Sequence, residues 1–549
     1  MKPDGDELAA RARDAITALH CEPRFNLAEQ PWIPVMRDGA LSIVGLRELL
    51  ATAHLITDLA LPHPLLRASL RRLLGALTAD MVRRDPSLSV EDWEDFCAAN
   101  AGFTDSQVSI FLEVHGDHLW LWHPRTPFLQ DQRLAANLVS PQDDQAVQEL
   151  VTHLPSGLSA TWWVKAHEPA LAGGLTEAET ALWLTSRWFY AAACNCATLR
   201  LPDGSTSTSH SGGCFAETLA PITHAFRVDG TSLFRSMLRG LPAGLPEPAT
   251  AAGPGHGLAG CAWLDEHQPR PSSDPLYLAT LNPAAVLLTG RDPDGTVTRL
   301  VRASTPVDKK LAKQLRNVAL DADAHRVTAV AANGTRRAVR VPPTTLRGEL
   351  LAGFHRAGFD GQALAGVVTS SGCWLHTDPA SADQERLELL LVSKKGTGAA
   401  PVWEELVGMD LPARHVDPTH PDARVVEHVQ AAVHLAFDPL TGVRRNLERA
   451  VGDLLARPGP DGWTPPKLNT GLAEALVYNV THAWLARTTE AFDRVLSSAT
   501  PDDLERWRTA AWSAARAAFH TIAAPYITSS RYAPRYAHAL RHLTPRTTP

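Results

Sequence analysis

A chain of 549 residues with 44% hydrophobic and 20% charged residues is an ordinary folded protein, too long for one compact core, so two or three domains are expected. A formal net charge of −7 excludes a protein coated in positive charge, and any nucleic-acid contact must come from local patches. Seven cysteines exclude a disulfide framework, no run reaches the roughly 18 apolar residues of a membrane span, and the first residues lack the apolar segment of a signal peptide, which places the protein in the cytoplasm.

Phe25-Asn-Leu-Ala-Glu-Gln-Pro-Trp-Ile-Pro-Val35 opens the ordered part. Pro31 and Pro34 bracket Trp32 and Ile33, which predicts an extended edge segment pinned by a buried Trp. Gly45 to Ala53 reads as a short helix. Leu65, Leu66, Ser69, Leu70, Leu73, Leu74, Leu77 and Met81 recur at helical spacing, so Arg67, Arg71 and Arg72 between them read as a solvated face. Val108 to Val114 and Leu119 to Trp122 alternate like strands around Gly116-Asp117, a hairpin signal. His123-Pro-Arg-Thr-Pro-Phe-Leu-Gln130 is a rigid exit from that hairpin, because two prolines stand within five residues.

Gln145 to Leu154 reads as a short helix leading into Pro155-Ser-Gly-Leu-Ser-Ala-Thr-Trp-Trp-Val-Lys165. Ser156-Gly157 marks a loop. Adjacent Trp162 and Trp163 point opposite ways in an extended segment, so one is exposed unless both are core residues of a strand. An exposed ring beside Lys165 suits a nucleic acid, the ring stacking or wedging while the ammonium meets phosphate.

Glu177 to Ala193 and Leu233 to Leu241 read as helices, and Pro242 to Gln268 as a long surface connection. Cys194, Cys196, His210 and Cys214 form a soft-ligand cluster. The single-residue gap between the first two is not a zinc-knuckle spacing, which favours free cysteines over a metal. Val286 to Leu288 and Val297 to Val301 flank the turn Asp292-Pro-Asp-Gly295, a hairpin. Arg291 to Arg340 holds eleven Lys/Arg against five Asp/Glu, a net +6 inside a chain of −7. Lys309, Lys310, Lys313 and Arg316 share one helical face there, either a solvated face or a phosphate track.

Gly396 to Arg424 reads as a linker. Beyond it, Val425 to Arg457 (with a break at Asp438 to Gly442), Gly471 to Ser497, Asp502 to Ala523 and Tyr532 to His542 read as helices, with Thr470 and Thr500 as near-terminal caps. From Arg506 onward there are seven Arg and no acid, with Tyr526, Tyr532 and Tyr536 interleaved, a pattern that suits a partner surface or nucleic acid. The whole is α+β: a large mixed N-terminal domain, residues 1–420, and a C-terminal four-helix bundle, residues 421–549. No phosphate-binding loop, dinucleotide fingerprint, H-E-x-x-H or catalytic spacing occurs, so neither catalysis nor a cofactor is expected.

Taken in order, the Phe25–Val35 stretch, the His123–Gln130 stretch and the Ser156-Gly157 loop running into an aromatic pair resemble the large subunit, CasA type, of the type I-E CRISPR Cascade surveillance complex. The resemblance spans nearly the whole chain. It implies a subunit that is not itself a nuclease: it reads a short protospacer-adjacent motif (PAM) from the minor groove of double-stranded DNA, helps open the duplex for guide-RNA pairing, and recruits a helicase–nuclease. Its partners would be target DNA, the guide ribonucleoprotein with the other subunits, and that effector, with no membrane. The motif-reading loop would fall on Trp163, Val164 and Lys165, with Trp162 anchoring it, and the backbone-contacting hairpin near Arg291 and Arg299, where Lys309 and Lys310 would substitute for the paired Lys of some relatives. The family's strand-splitting Gln would lie near Thr369 to Trp374, where no Gln stands, so no wedge is assigned. Two other readings stay open: a purely structural assembly subunit, and a free-standing enzyme using His123, His153 or His167.

Overall fold

The structure, a computed structural model, describes residues 5–84, 102–138, 145–151, 173–190, 197, 199–200, 206–207, 222–239, 276–277, 280, 284–304, 325, 328–330, 336–338, 385–392, 406–412, 423–438, 440–459, 462–468, 471–498, 500–529 and 532–544. Helix and strand are mixed through most of the chain, and the C-terminal region is helical. Two compact units divide the described residues: one carries residues 5–325 with the strand Glu385–Val392, the other the helices from Ala423 on.

In the first unit the segment around Pro34, expected at an edge, lies in a central strand. Ile33–Arg37 is the centre of a three-stranded antiparallel sheet, between Ala40–Val44 and Ile56–Leu59. Pro34 is tolerated because pairing with the 56–59 strand begins at Val35, while the Pro34 carbonyl still accepts from the Ala60 N–H at 2.9 Å. Trp32 is buried as expected, its indole Nε1 donating to the Leu27 carbonyl at 2.9 Å. The short helix after the sheet is Leu46–Thr52.

Pro64–Arg84 is a helix, but not a surface one. Every residue from Ala68 to Val82 is buried, so it has no solvated face. Ser69 and Thr78 satisfy their hydroxyls by donating to the carbonyls of Leu65 and Leu74. The arginines are packed in with their partners. Arg67 donates to Glu388 at 2.8 Å, and Arg71 lies between Glu388 at 3.1 Å and Asp58 at 2.8 Å. Arg72 stands over the rings of Phe189 and Tyr190 at 5.0 and 5.5 Å. Burial opposes the charge on Arg71, but the two carboxylates more than offset it and raise its pKa. Glu388 arrives on the strand Glu385–Val392, which pairs antiparallel with Ile222–Asp229.

The expected hairpin at Val108 is a helix, Asp105–His115, followed by a 3-10 turn, Gly116–Leu119. Thr104 and Gln107 form a capping box: Thr104 Oγ1 accepts from the Gln107 N–H at 3.2 Å, and Gln107 Oε1 accepts from the Thr104 N–H at 2.9 Å. Helical spacing buries Val108, Phe111, Leu112 and His115, and the apparent alternation leaves Ile110 and Val114 outside. Trp120–Trp122 is a strand as read, but its partner is Arg24–Asn26. In the described part of the stretch read as a helix from Gln145, Gln145–Ala146 is a strand and Val147–Leu150 a 3-10 turn. Glu177–Tyr190 and Leu233–Arg239 are helices. In the stretch read as a linker, Leu406–Pro412 is a strand beside Glu385–Val392.

In the second unit the first expected helix is two, Ala423–Phe437 and Val443–Leu455, parted where Asp438 Oδ1 accepts from the backbones of Leu440 and Thr441. A small antiparallel hairpin, Arg457–Gly459 with Gly462–Thr464, leads to the long helices Gly471–Ser498 and Pro501–Ile527. Thr500 caps the last of these by accepting from the Asp503 N–H. The helices lock through indoles: Trp484 Nε1 donates to Ala511 O at 2.9 Å and Trp507 Nε1 to Ala432 O at 3.1 Å. Ala533–Ala539 and a final 3-10 turn, Leu540–Leu543, close the unit against the 443–455 helix, where Asp453 accepts from His542 Nε2 at 2.8 Å.

Candidate nucleic-acid interface

Of the residues singled out for DNA, Arg291 and Arg299 are described. Trp162, Trp163, Val164, Lys165, Lys309, Lys310, Lys313 and Arg316 lie outside the described residues, as do His153, His167, Cys194, Cys196, His210 and Cys214.

The hairpin is present: Ala284–Arg291 pairs with Val297–Ser304, and Gln145–Ala146 adds a third strand along the second. Its turn is tightly bonded. Gly295, at φ +92°, donates to Asp292 O at 3.0 Å, and Asp294 Oδ1 accepts from the Thr296 N–H at 2.9 Å. Hydrogen bonds from Thr296 hold the Asp294 carboxyl below its ordinary pKa. At the base, Leu175 and Val297 exchange two backbone hydrogen bonds, at 3.0 and 2.8 Å. Gly174, at φ +102°, permits this approach, because a Cβ there would stand 2.5 Å from the Val297 carbonyl oxygen.

That approach sets Glu177, in the first turn of its helix, beside the hairpin. One carboxylate oxygen takes Arg291 Nε at 2.9 Å and Trp122 Nε1 at 2.8 Å. Arg302 on the returning strand is buried, bonded to Gln145 at 2.6 Å and paired with Glu149 at 3.2 Å. The stem of Arg299 crosses Gly290, where a Cβ would stand 2.7 Å from its Cγ. A phosphate reaching Arg291 would therefore meet the field of Glu177, and of Asp292 and Asp294 at the turn. Sequence reasoning missed Glu177, Glu149 and Arg302. No local signal could have found them, since Glu177 stands 114 residues from Arg291.

The two motif stretches build one joint of the core. Trp32 meets Phe128 edge to face at 5.8 Å between centroids, and Gln130 bridges strands, donating to Leu121 O at 2.7 Å and accepting from the Leu288 N–H at 2.9 Å. His123 is buried, and its Nδ1 accepts from the Thr126 N–H at 2.9 Å, so this ring orders the Pro-rich turn. His20 Nε2 donates to Leu288 O at 3.0 Å, and burial pushes its pKa below the ordinary value despite that bond. Of the C-terminal tyrosines, Tyr526 meets Tyr532 edge to face and Tyr536 stacks on Phe519. Among the described residues no cluster of His, Cys, Asp and Glu is arranged to hold a metal, and no helix is long and apolar enough to cross a membrane.

Residues 26–348 match the family model of the CRISPR-associated protein Cse1, and the chain belongs to that family. It is 35% identical over 109 residues to the CRISPR-associated protein CasA/Cse1 of Thermus thermophilus, an alignment spanning about a fifth of each chain (20% and 21%). The fold is similar to a chain of a CRISPR RNA-guided surveillance complex, with a TM-score of 0.65 at 19% identity over 95% of this chain and 100% of that one. It is also similar to Cse1 from Acidimicrobium ferrooxidans, with a TM-score of 0.63 at 20% identity over 95% and 100%.

Proposed function

We propose that this chain is the DNA-recognition subunit of an RNA-guided surveillance complex of type I-E. It reads a short PAM in duplex DNA, promotes strand opening and R-loop formation, and recruits a helicase–nuclease, without catalysis of its own. One observation carries the reading: a member of the Cse1 family is folded like a chain of an RNA-guided surveillance complex along the full length of that chain. The division of labour is physically economical, since guide pairing carries the sequence and the protein needs only a short motif reader and backbone contacts. The resemblance assigns the reader to Trp163, Val164 and Lys165, anchored by Trp162, and backbone contacts to Arg291 and Arg299; the charge and helical spacing of Lys309, Lys310, Lys313 and Arg316 add a phosphate track.

The test is duplex binding by the complex assembled with its guide. Trp163→Ala should weaken PAM-bearing duplexes by about 1–3 kcal/mol and leave scrambled ones nearly unchanged. Lys165→Ala should blunt the same discrimination if the ammonium reaches base acceptors. Replacing Lys309, Lys310 and Lys313 by Ala should weaken all duplexes alike and lower the salt slope by about 0.9 per lost phosphate contact. An unaltered matched-to-scrambled ratio for both loop variants would sink the motif-reading assignment. Nuclease or ATPase turnover by the isolated chain would overturn the non-catalytic one.

A further inference from the structure

Arg535 is only 7% exposed, yet among the described residues neither a carboxylate nor any hydrogen-bond acceptor meets its guanidinium, and its Nε and Nη1 are buried and unbonded. What holds it is aromatic: its Cζ stands 4.0 Å from the ring centre of Trp463 and 5.5 Å from that of Tyr532. Trp463 projects from the hairpin Gly462–Thr464, opposite Pro458, and is 59% exposed. One face of the indole thus backs onto a cation while much of the ring is open to water.

Burying an unpaired charge is costly, and an anion drawn from solution would offset that cost. The carboxylate of Asp453, on the helix against which Ala533–Ala539 packs, is engaged by His538 at 3.3 Å and His542 at 2.8 Å. From Arg506 onward the sequence itself supplies seven Arg and no acid. An open indole beside a fixed guanidinium matches a nucleotide better than an acidic peptide, because a nucleotide brings a flat base and a phosphate on one unit.

We propose that Trp463, Arg535 and Tyr532 form a site for one nucleotide of an unpaired nucleic-acid strand, the base stacking on Trp463 and the phosphate neutralising Arg535. The site is independent of motif reading; a chain that read no duplex motif would still hold a strand here.

The full chain is titrated with a fluorescent twelve-residue oligothymidylate, with an abasic strand of equal charge and with polyglutamate. Trp463→Ala and Arg535→Gln should each weaken oligothymidylate binding about tenfold, and a strand carrying 5-iodouracil should cross-link within residues 457–468 on irradiation. Trp463 is exposed, so its variant stays informative even if Arg535→Gln folds poorly. Unchanged affinity of Trp463→Ala, cross-links confined to other segments, or equal binding of the abasic strand or polyglutamate would overturn the proposal.

Discussion

Arg71 in the first unit and Arg535 in the second are both buried cations, and they are held in opposite ways. Arg71 lies between Asp58 and Glu388, carboxylates brought from two different strands to a helix buried on all sides. Arg535 lies between two rings, in a stretch of chain without an acid. A sheet-and-helix unit built from distant segments can deliver a counter-charge to a chosen point. The helical unit also brings a distant segment to its buried cation, but what arrives there is the ring of Trp463 rather than a carboxylate. The first arrangement neutralises its charge internally; the second leaves the charge for something outside the chain to neutralise.

Arg71→Met is the severest test of that contrast. It leaves Asp58 and Glu388 facing each other without their shared cation, and should cost about 3–5 kcal/mol in urea unfolding. Trp484→Phe comes next. It strips the Ala511 carbonyl of its indole donor inside the helical unit and should cost about 1–3 kcal/mol in urea unfolding.

His20 represents a third way to bury a base, as the neutral form. Its folded pKa lies below the ordinary value of about 6.5, so its contribution is complete above that pH. As pH falls below it, the unfolded chain binds a proton that the folded chain refuses, and stability drops until the lowered folded pKa is passed. Unfolding free energy measured from pH 7.5 to 5 should decline along this leg, and His20→Gln should flatten it. The smallest change is expected for Arg535→Met, which removes an unpaired charge and keeps a long apolar stem. Its stability should stay within about 1 kcal/mol of the parent or exceed it. A loss comparable to that of Arg71→Met would break the comparison.

Much of the secondary structure was legible. The 284–304 hairpin announced itself through Asp292 to Gly295, and the C-terminal helices through apolar periodicity and the Thr500 cap. The family was legible from Phe25–Val35 and His123–Gln130, which prove to be structural stretches joined by Trp32 against Phe128. Asp105–His115 was misread because Val108, Ile110, Leu112 and Val114 mimic a strand, although Thr104 and Gln107 already spelled a capping box. Arg67, Arg71 and Arg72 were misread for a deeper reason, since nothing near them in the chain tells that Glu388 will arrive.

The sequence by itself therefore determined where the 284–304 turn and most of the C-terminal helices begin and end, and which family the chain belongs to, because caps, turn chemistry and apolar spacing act between residues a few positions apart. Only the tertiary structure decided the fate of the charges. It tied Arg291 to Glu177, gave Arg71 its two carboxylates and, among the described residues, left Arg535 with none. A charge is governed by what comes within a few ångströms of it and by how much water is excluded, and both are set by packing between segments that lie, for Arg71 and Glu388, 317 residues apart.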